Sequence, residues 1–376
     1  MRHDPGPAPG AAPRAAAPWK LLLLAGLSTL AALFAVELAL RVASGRILGR
    51  PDPVAGAIRM VGSRYPGTYD ARLGWVPTPG AHPKNVWNTT LTIEADSTRS
   101  NGAPPPPGLP ILAVGDSFTF GDEVGDADTW PAQLEQELAV PVRNGGVFGY
   151  GLDQITLRAE QLMAQGDVSA LVVSIVPNDV MRCEYAYRYA WKPWFAVRSG
   201  KLELEGVPVP EPGFASPGEP APRRWLRWSF LADLVYRRLD PDDWLLPDSV
   251  RMHRHGVEVG ALLVERLDAL AREHGVPWLL VLNWYPRADR EPARGIVARA
   301  RALGADVIDM APILRAELDS ARARVPDLYS VHVKEGQPID IGHMTRAGNA
   351  LVARAVADHL RERGLAAAPA TPPDKS

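Results

Sequence analysis

The stretch Ile111-Leu-Ala-Val-Gly-Asp-Ser-Phe-Thr-Phe-Gly121 runs an apolar strand into a glycine turn and sets Ser117 at the start of a helix. A nucleophile belongs in such a position. A serine hydroxyl attacks poorly at neutral pH, so Ser117 is useful only where a base takes its proton and donors meet the resulting oxyanion. Asp340-Ile-Gly-His343 offers the base: on one loop, Asp340 accepts the proton of one ring nitrogen while the other nitrogen faces Ser117. His332 competes for the same role but has no aspartate three residues before it. Asn144-Gly-Gly-Val-Phe-Gly149-Tyr-Gly151 is a glycine-rich turn able to aim backbone N–H groups at a substrate oxygen, and Asn178, in Val-Pro-Asn178-Asp179, adds a side-chain amide. Each piece alone also has a plain reading: a surface histidine, a turn, a helix cap.

These residues need a scaffold. Strands are expected at 110–115, 140–144, 169–176, 277–283 and 305–309, and helices near 128–138 and at 152–165, 257–274, 291–303 and 345–363. Short apolar strands alternating with helices predict a parallel sheet covered on both faces. Ligands bind at the carboxyl ends of such strands, and Ser117, the 144–151 turn and Asn178-Asp179 all follow strand ends. The stretch 181–249 interrupts the alternation and is rich in aromatics, among them Tyr185, Trp194, Phe195, Trp225 and Trp228. It reads equally as a lid or substrate wall and as a satellite core.

Taken together and in order, Gly115-Asp116-Ser117, Asn144 with Gly149, Asn178-Asp179, and Asp340 with His343 resemble the blocks of the SGNH, or GDSL-type, hydrolases. The resemblance spans about residues 108–365. It implies an α/β, flavodoxin-like three-layer α/β/α fold with a parallel five-stranded sheet and serine acyl chemistry. On this resemblance Ser117 is the nucleophile and first oxyanion donor, Gly149 the second donor and Asn178 the third. His343 is then the base, Asp340 its orienting carboxylate and Asp116 a structural residue. The chain departs from the common pattern at Val176-Pro177, where a glycine usually precedes the asparagine by two residues, and at Phe118, which replaces a leucine. Leu73-Gly74-Trp75 and the longer first block look like a bacterial membrane-anchored subgroup with its catalytic domain outside the cytoplasmic membrane.

The N-terminal run Leu21–Leu40 is as long as a bilayer core is thick and is flanked by Trp19-Lys20 and Arg41, which predicts one transmembrane helix over 19–42. A cleaved signal peptide is the rival reading, and basic residues on both sides leave orientation open. Residues 1–18 and 366–376 are expected as disordered tails, and 43–107 as a membrane-proximal segment ending in a proline-rich spacer. The 108–365 hydrolase-like domain carries the insertion. With 41 Lys and Arg against 43 Asp and Glu, the net charge of −2 gives no footprint for nucleic acid. The lone Cys183 excludes an intrachain disulfide, and the histidines form no metal-ligand pattern, so neither metal nor cofactor is expected. The leading expectation is a membrane-anchored esterase or deacylase acting on an ester or an acylated glycan or lipid. Two alternatives are an O-acyltransferase of a cell-envelope polysaccharide using the same triad, and a noncatalytic envelope-binding or scaffold protein.

Overall fold

The computed structural model describes residues 18–45, 47–48, 65–211, 225–239, 249–286, 289–320, 323–334 and 337–365. The tails expected at either end lie outside these residues, apart from Pro18. Two compact units are present, Ala57–Gly218 with Asp248–Ser376, and Met1–Gly56 with Glu219–Pro247.

In the larger unit, five apolar segments form the sheet: β1 Ile111–Gly115, β2 Val142–Asn144, β3 Ala170–Ile175, β4 Trp278–Leu282 and β5 Asp306–Asp309. Every pairing is parallel, and the spatial order is 2-1-3-4-5. That order places the crossover between β1 and β3, the switch point at which open α/β sheets bind ligands. Side chains alternate across each strand, so Leu112, Val114, Val173 and Leu280 enter one core while Ile111, Ala113, Val172 and Val281 enter the other. Parallel strands buried on both faces need helices on both sides, and the chain supplies them.

The helices, in chain order, begin with α1 Pro18–Ala43, which belongs to the smaller unit, and α2 Ser117–Phe120. Next come α3 Trp130–Leu138, α4 Leu152–Met163, α5 Pro177–Arg182 and, in the smaller unit, α6 Phe230–Leu239. The chain continues with α7 Gly256–Glu273, α8 Glu291–Ala302, α9 Met310–Asp319, α10 Val325–Leu328 and α11 Arg346–Glu362. Helices α4, α7 and α8 pack on the first core, and α3, α9 and α11 on the second, giving the three layers. Each fully buried Leu, Val or Phe contributes about 1.5–3 kcal/mol, which makes these two layers the main source of stability.

Residues 65–107, read above as part of a membrane-proximal stretch and spacer, pack into the large unit. Leu73, Trp75, Leu91 and Ile93 are buried in its first core, and Arg99 bridges to Asn144 at the β2 edge. Their apolar side chains leave water against the sheet layer, while residues 79–84 and the proline end of the stretch stay largely exposed. In the insertion, Tyr185 and Phe195 are fully buried, while Trp225 and Trp228 belong to the smaller unit.

After α10 the chain forms an antiparallel hairpin, β6 Tyr329–Lys334 with β7 Gln337–Met344. Tyr329 opposes Met344, but Val331 opposes Ile341, so Ser330 faces two residues, Gly342 and His343. Such a bulge bends the strand and re-aims its side chains.

Candidate active site

Ser117 opens α2 directly beyond β1. Asp116 caps that helix, its Oδ1 accepting the Phe118 N–H at 2.9 Å, and its Oδ2 lies 3.3 Å from Arg182. Gly121 closes α2 at φ 87°, with its N–H donating to the Ser117 carbonyl at 2.9 Å. Only a residue tolerant of left-handed backbone makes so early a turn without strain.

That turn brings two acidic residues back toward Ser117. Glu123 itself has φ 72°, a conformation costing about 1–3 kcal/mol for a residue with a side chain. The cost is offset by what the side chain meets: its Oε1 lies 3.0 Å from His343 Nδ1, and its Oε2 accepts from the Ser330 hydroxyl and, at 3.3 Å, from the His343 backbone N–H. His343 Nε2 in turn lies 2.8 Å from Ser117 Oγ. An unbroken hydrogen-bonded chain therefore runs from Glu123 through the imidazole to the serine. With Nδ1–H donating to Glu123, Nε2 carries the lone pair that faces Ser117.

The carboxylate at His343 Nδ1 is thus Glu123 and not Asp340, which corrects the expectation from spacing. Asp340 and His343 lie on β7, and three residues along an extended strand span about 10 Å, too far for the loop-like return the spacing implied. Asp340 is exposed, and its Oδ1 accepts the Ile341 N–H at 2.8 Å. His332, the rival base, is half exposed and lies 3.3 Å from Glu123 Oε1 on the outer side of the same carboxylate. Gly342 permits the arrangement: a Cβ there would lie 2.1 Å from Ser330 Oγ and 2.5 Å from Glu123 Oε2.

Asp122 is a second acid that spacing did not single out. It is 3% exposed, its Oδ2 lies 3.9 Å from His343 Nε2, and its Oδ1 has no hydrogen-bond partner among the described residues. Burial pushes its carboxyl up to about 7, the nearby Glu123 charge adding to the effect and His343 opposing it. Glu123 goes the other way, down to about 2: burial disfavours its charge, but the hydrogen bond and charge of His343 and the Ser330 hydroxyl outweigh that. For His343, burial disfavours the imidazolium, yet Asp122 and Glu123, with Asp116 behind them, hold the ring above its ordinary value.

The loop carrying both acids is clamped by Arg99, whose side chain is fully buried. Its guanidinium donates to the carbonyls of Phe120 at 2.8 Å, of Gly121, and of Val124 at 2.7 Å, while Nε meets Asp126 at 3.2 Å. Three loop carbonyls on one rigid fork fix the backbone through Asp122 and Glu123.

The foreseen oxyanion donors are placed as follows. The Ser117 N–H heads α2 and the Gly149 N–H lies in a turn at φ 75°; neither has an acceptor among the described residues. Asn178 is exposed on the first turn of α5, its amide likewise without an acceptor there. Pro177 does not obstruct this: it occupies the first position of α5, where the missing N–H would be unpaired anyway. Asp179 Oδ2 then accepts the Val176 N–H at 2.8 Å and Oδ1 pairs with Arg182 at 2.7 Å, tying α5 to the Asp116 end of α2. Asn144 holds its turn by accepting the Gly146 N–H at 3.1 Å. Phe118 packs against the His343 ring at 5.1 Å and Tyr285 at 6.2 Å, forming an apolar flank.

Among solved structures, the chain is similar to a protein described as lipolytic, of the G-D-S-L family, from Desulfitobacterium hafniense, at 13% identity over 67% of this chain and 99% of that one, with a TM-score of 0.38. An α/β hydrolase from the metagenome of Lake Arreo matches at 14% identity over 70% of this chain and 98% of the other, with a TM-score of 0.41. An acetyl xylan esterase from Geobacillus stearothermophilus matches at 16% identity over 71% and 99%, with a TM-score of 0.38. No family model and no curated protein matches the chain. Among the described residues no group of three or more His, Cys, Asp or Glu side chains could hold a metal ion.

Proposed function

We propose that this protein is a carboxylic ester hydrolase that works through an acyl-enzyme on Ser117, held at a membrane by α1. The observation that supports the chemistry most directly is the continuous Ser117–His343–Glu123 hydrogen-bonded chain, 2.8 and 3.0 Å at its two links. In the first half-reaction Ser117 Oγ attacks the ester carbonyl as its proton passes to His343 Nε2. The tetrahedral oxyanion is met by the N–H groups of Ser117 and Gly149 and by the Asn178 amide. Its collapse breaks the bond to the leaving oxygen, which takes the proton from His343. In the second half, water gives its proton to His343 and attacks the acyl-enzyme, and Ser117 is regenerated as the acid departs. Glu123 fixes the tautomer and balances the imidazolium formed in both halves.

The anchor rests on Trp19–Ala43, a helix of mean hydropathy 2.2 in which none of the most apolar window is buried by protein. Its length and composition suit a bilayer.

The test uses a fluorophosphonate probe and p-nitrophenyl acetate on the full chain in detergent. Wild type should label and release nitrophenolate, and Ser117→Ala should do neither. A wild-type protein that binds a folded-state dye normally yet fails to label would sink the enzymatic reading.

A further inference from the structure

Glu37 sits in the last turns of α1, four residues before Arg41, after a run from Leu21 to Val36 that carries no charge. A carboxylate there needs compensation, and the smaller unit supplies it from 192 residues away. Glu37 accepts the Ser229 hydroxyl at 2.8 Å and the backbone N–H groups of Phe230 and Leu231 at 3.0 and 2.9 Å, the otherwise unpaired donors at the start of α6. Arg41 closes the joint: its Nε meets Glu37 at 2.8 Å, a second nitrogen donates to the Trp228 carbonyl, and its guanidinium lies 5.1 Å from the Phe230 ring centre. The start of α6 is therefore fastened within about one turn, roughly 5 Å, of the end of the apolar run.

At that level a bilayer gives way to headgroups, and the composition of 225–239 suits the boundary. Leu234 and Val235 are 44% and 41% exposed, Leu239 76%, and Trp225 74%. Arg237 pairs with Asp233 at 2.7 Å on the polar side, and Arg227 and Arg238 leave the segment net basic. Trp and Arg at the end of a span, beside an apolar helix face, match the chemistry of an anionic lipid surface.

We propose that residues 225–239 are an interfacial segment, lying in the headgroup region of an anionic bilayer and fastened to the anchor by Glu37. This rests on the membrane reading of α1. It makes the insertion a second membrane contact of the protein.

The experiment reconstitutes the full chain in phosphatidylcholine–phosphatidylglycerol vesicles, with bimane on single added cysteines and spin-labelled lipid as quencher. Cys183 is fully buried, so wild type serves as the labelling blank. Leu30→Cys in the anchor and Leu234→Cys in α6 should both lose most of their emission relative to the same proteins in vesicles without the quencher. Quenching at Leu30→Cys without quenching at Leu234→Cys overturns the proposal and leaves the anchor standing. No quenching at Leu30→Cys overturns the anchor and the proposal with it. Added to Leu234→Cys, Glu37→Leu should restore emission there; if it does not, the fastening role of Glu37 is overturned.

Discussion

Glu123 reaches His343 from the opposite side of the sequence: the carboxylate 3.0 Å from His343 Nδ1 lies six residues after Ser117, on the loop that follows it. The base and its orienting group thus come from different segments, and their alignment depends on the loop backbone more than on β7. Glu123→Gln keeps the side-chain size but removes the charge that fixes the tautomer and balances the imidazolium. It should lower kcat by about 10²–10⁴-fold with little change in KM. Asp340→Asn, on an exposed side chain, should stay within about twofold. Steady-state kinetics on the two variants compares the carboxylates directly, and a larger loss in Asp340→Asn would reverse the assignment.

Activity should rise with pH, because His343 must be neutral to accept the Ser117 proton and its facing carboxylates hold it above its ordinary value of 6.5. Asp122 contributes the foremost of those attractions, so Asp122→Asn should move the midpoint of the kcat/KM profile to lower pH. Stability moves the other way. The Asp122 carboxyl is raised from 3.8 to about 7, so its contribution is fully present below 3.8 and is lost as pH rises through about 7. Asp122→Asn should accordingly gain on the order of 2–4 kcal/mol over wild type at pH 8, with no such gain at pH 3.5. For Glu123, lowered from 4.5 to about 2, the sign reverses: its contribution is present above 4.5 and fades as pH falls through about 2. Denaturant melts at three pH values, beside the rate profile, check both signs.

Arg99 is a buried cation whose neighbours are one carboxylate and several loop carbonyls. Arg99→Met would leave Asp126 without its countercharge and the carbonyls of Phe120, Gly121 and Val124 without donors. The expected loss is about 3–5 kcal/mol in urea unfolding. Any folded fraction should also show a reduced kcat, since the Asp122–Glu123 loop is then unclamped. A variant that is destabilised yet fully active per folded molecule would show that the loop holds its shape unaided.

The bulge at Gly342 is a sharper probe of the same geometry. A Cβ there would sit 2.5 Å from Glu123 Oε2 and 2.1 Å from Ser330 Oγ, so Gly342→Ala must push the carboxylate away from His343. Its activity should fall toward that of Glu123→Gln while its melting temperature changes little. Adding Ser330→Ala would relieve one of the two contacts and should restore part of the rate.

The sheet was legible because its strands carry their burial in their composition: Ile111 to Gly115 is apolar throughout and Ala170 to Ile175 is apolar but for Ser174, as befits a doubly covered parallel strand. Ser117 and His343, whose side chains meet at 2.8 Å, were legible in other ways, one following a strand into a glycine turn and the other through the aspartate three residues before it. Glu123 was not. Its role depends on a positive φ and on Gly342 yielding space from the far end of the chain, neither of which leaves a periodic trace. Asp340 drew attention through the spacing, which assumed a loop where the chain forms a bulged strand. Where residues 65–107 pack left little trace in the sequence, because turns and prolines dominate their composition while a few large side chains, Trp75 above all, are buried in the first core.

Asn178 carries the last prediction. Its amide has no acceptor among the described residues, and Pro177 and the Asp179 cap hold it on the first turn of α5 without involving its side chain. An unengaged amide at the carboxyl end of β3 suits an oxyanion formed at Ser117, and a donor used only in the transition state affects kcat and not ground-state binding. Asn178→Ala should lower kcat by about 10²–10³-fold at unchanged KM and unchanged stability. Fluorophosphonate labelling should slow in parallel, because the phosphorus oxygen needs the same donor. Asn178→Asp should be worse than Asn178→Ala, since a carboxylate repels the oxyanion that the amide would meet. If both variants keep wild-type kcat, the Ser117 and Gly149 N–H groups suffice and Asn178 serves only to begin its helix.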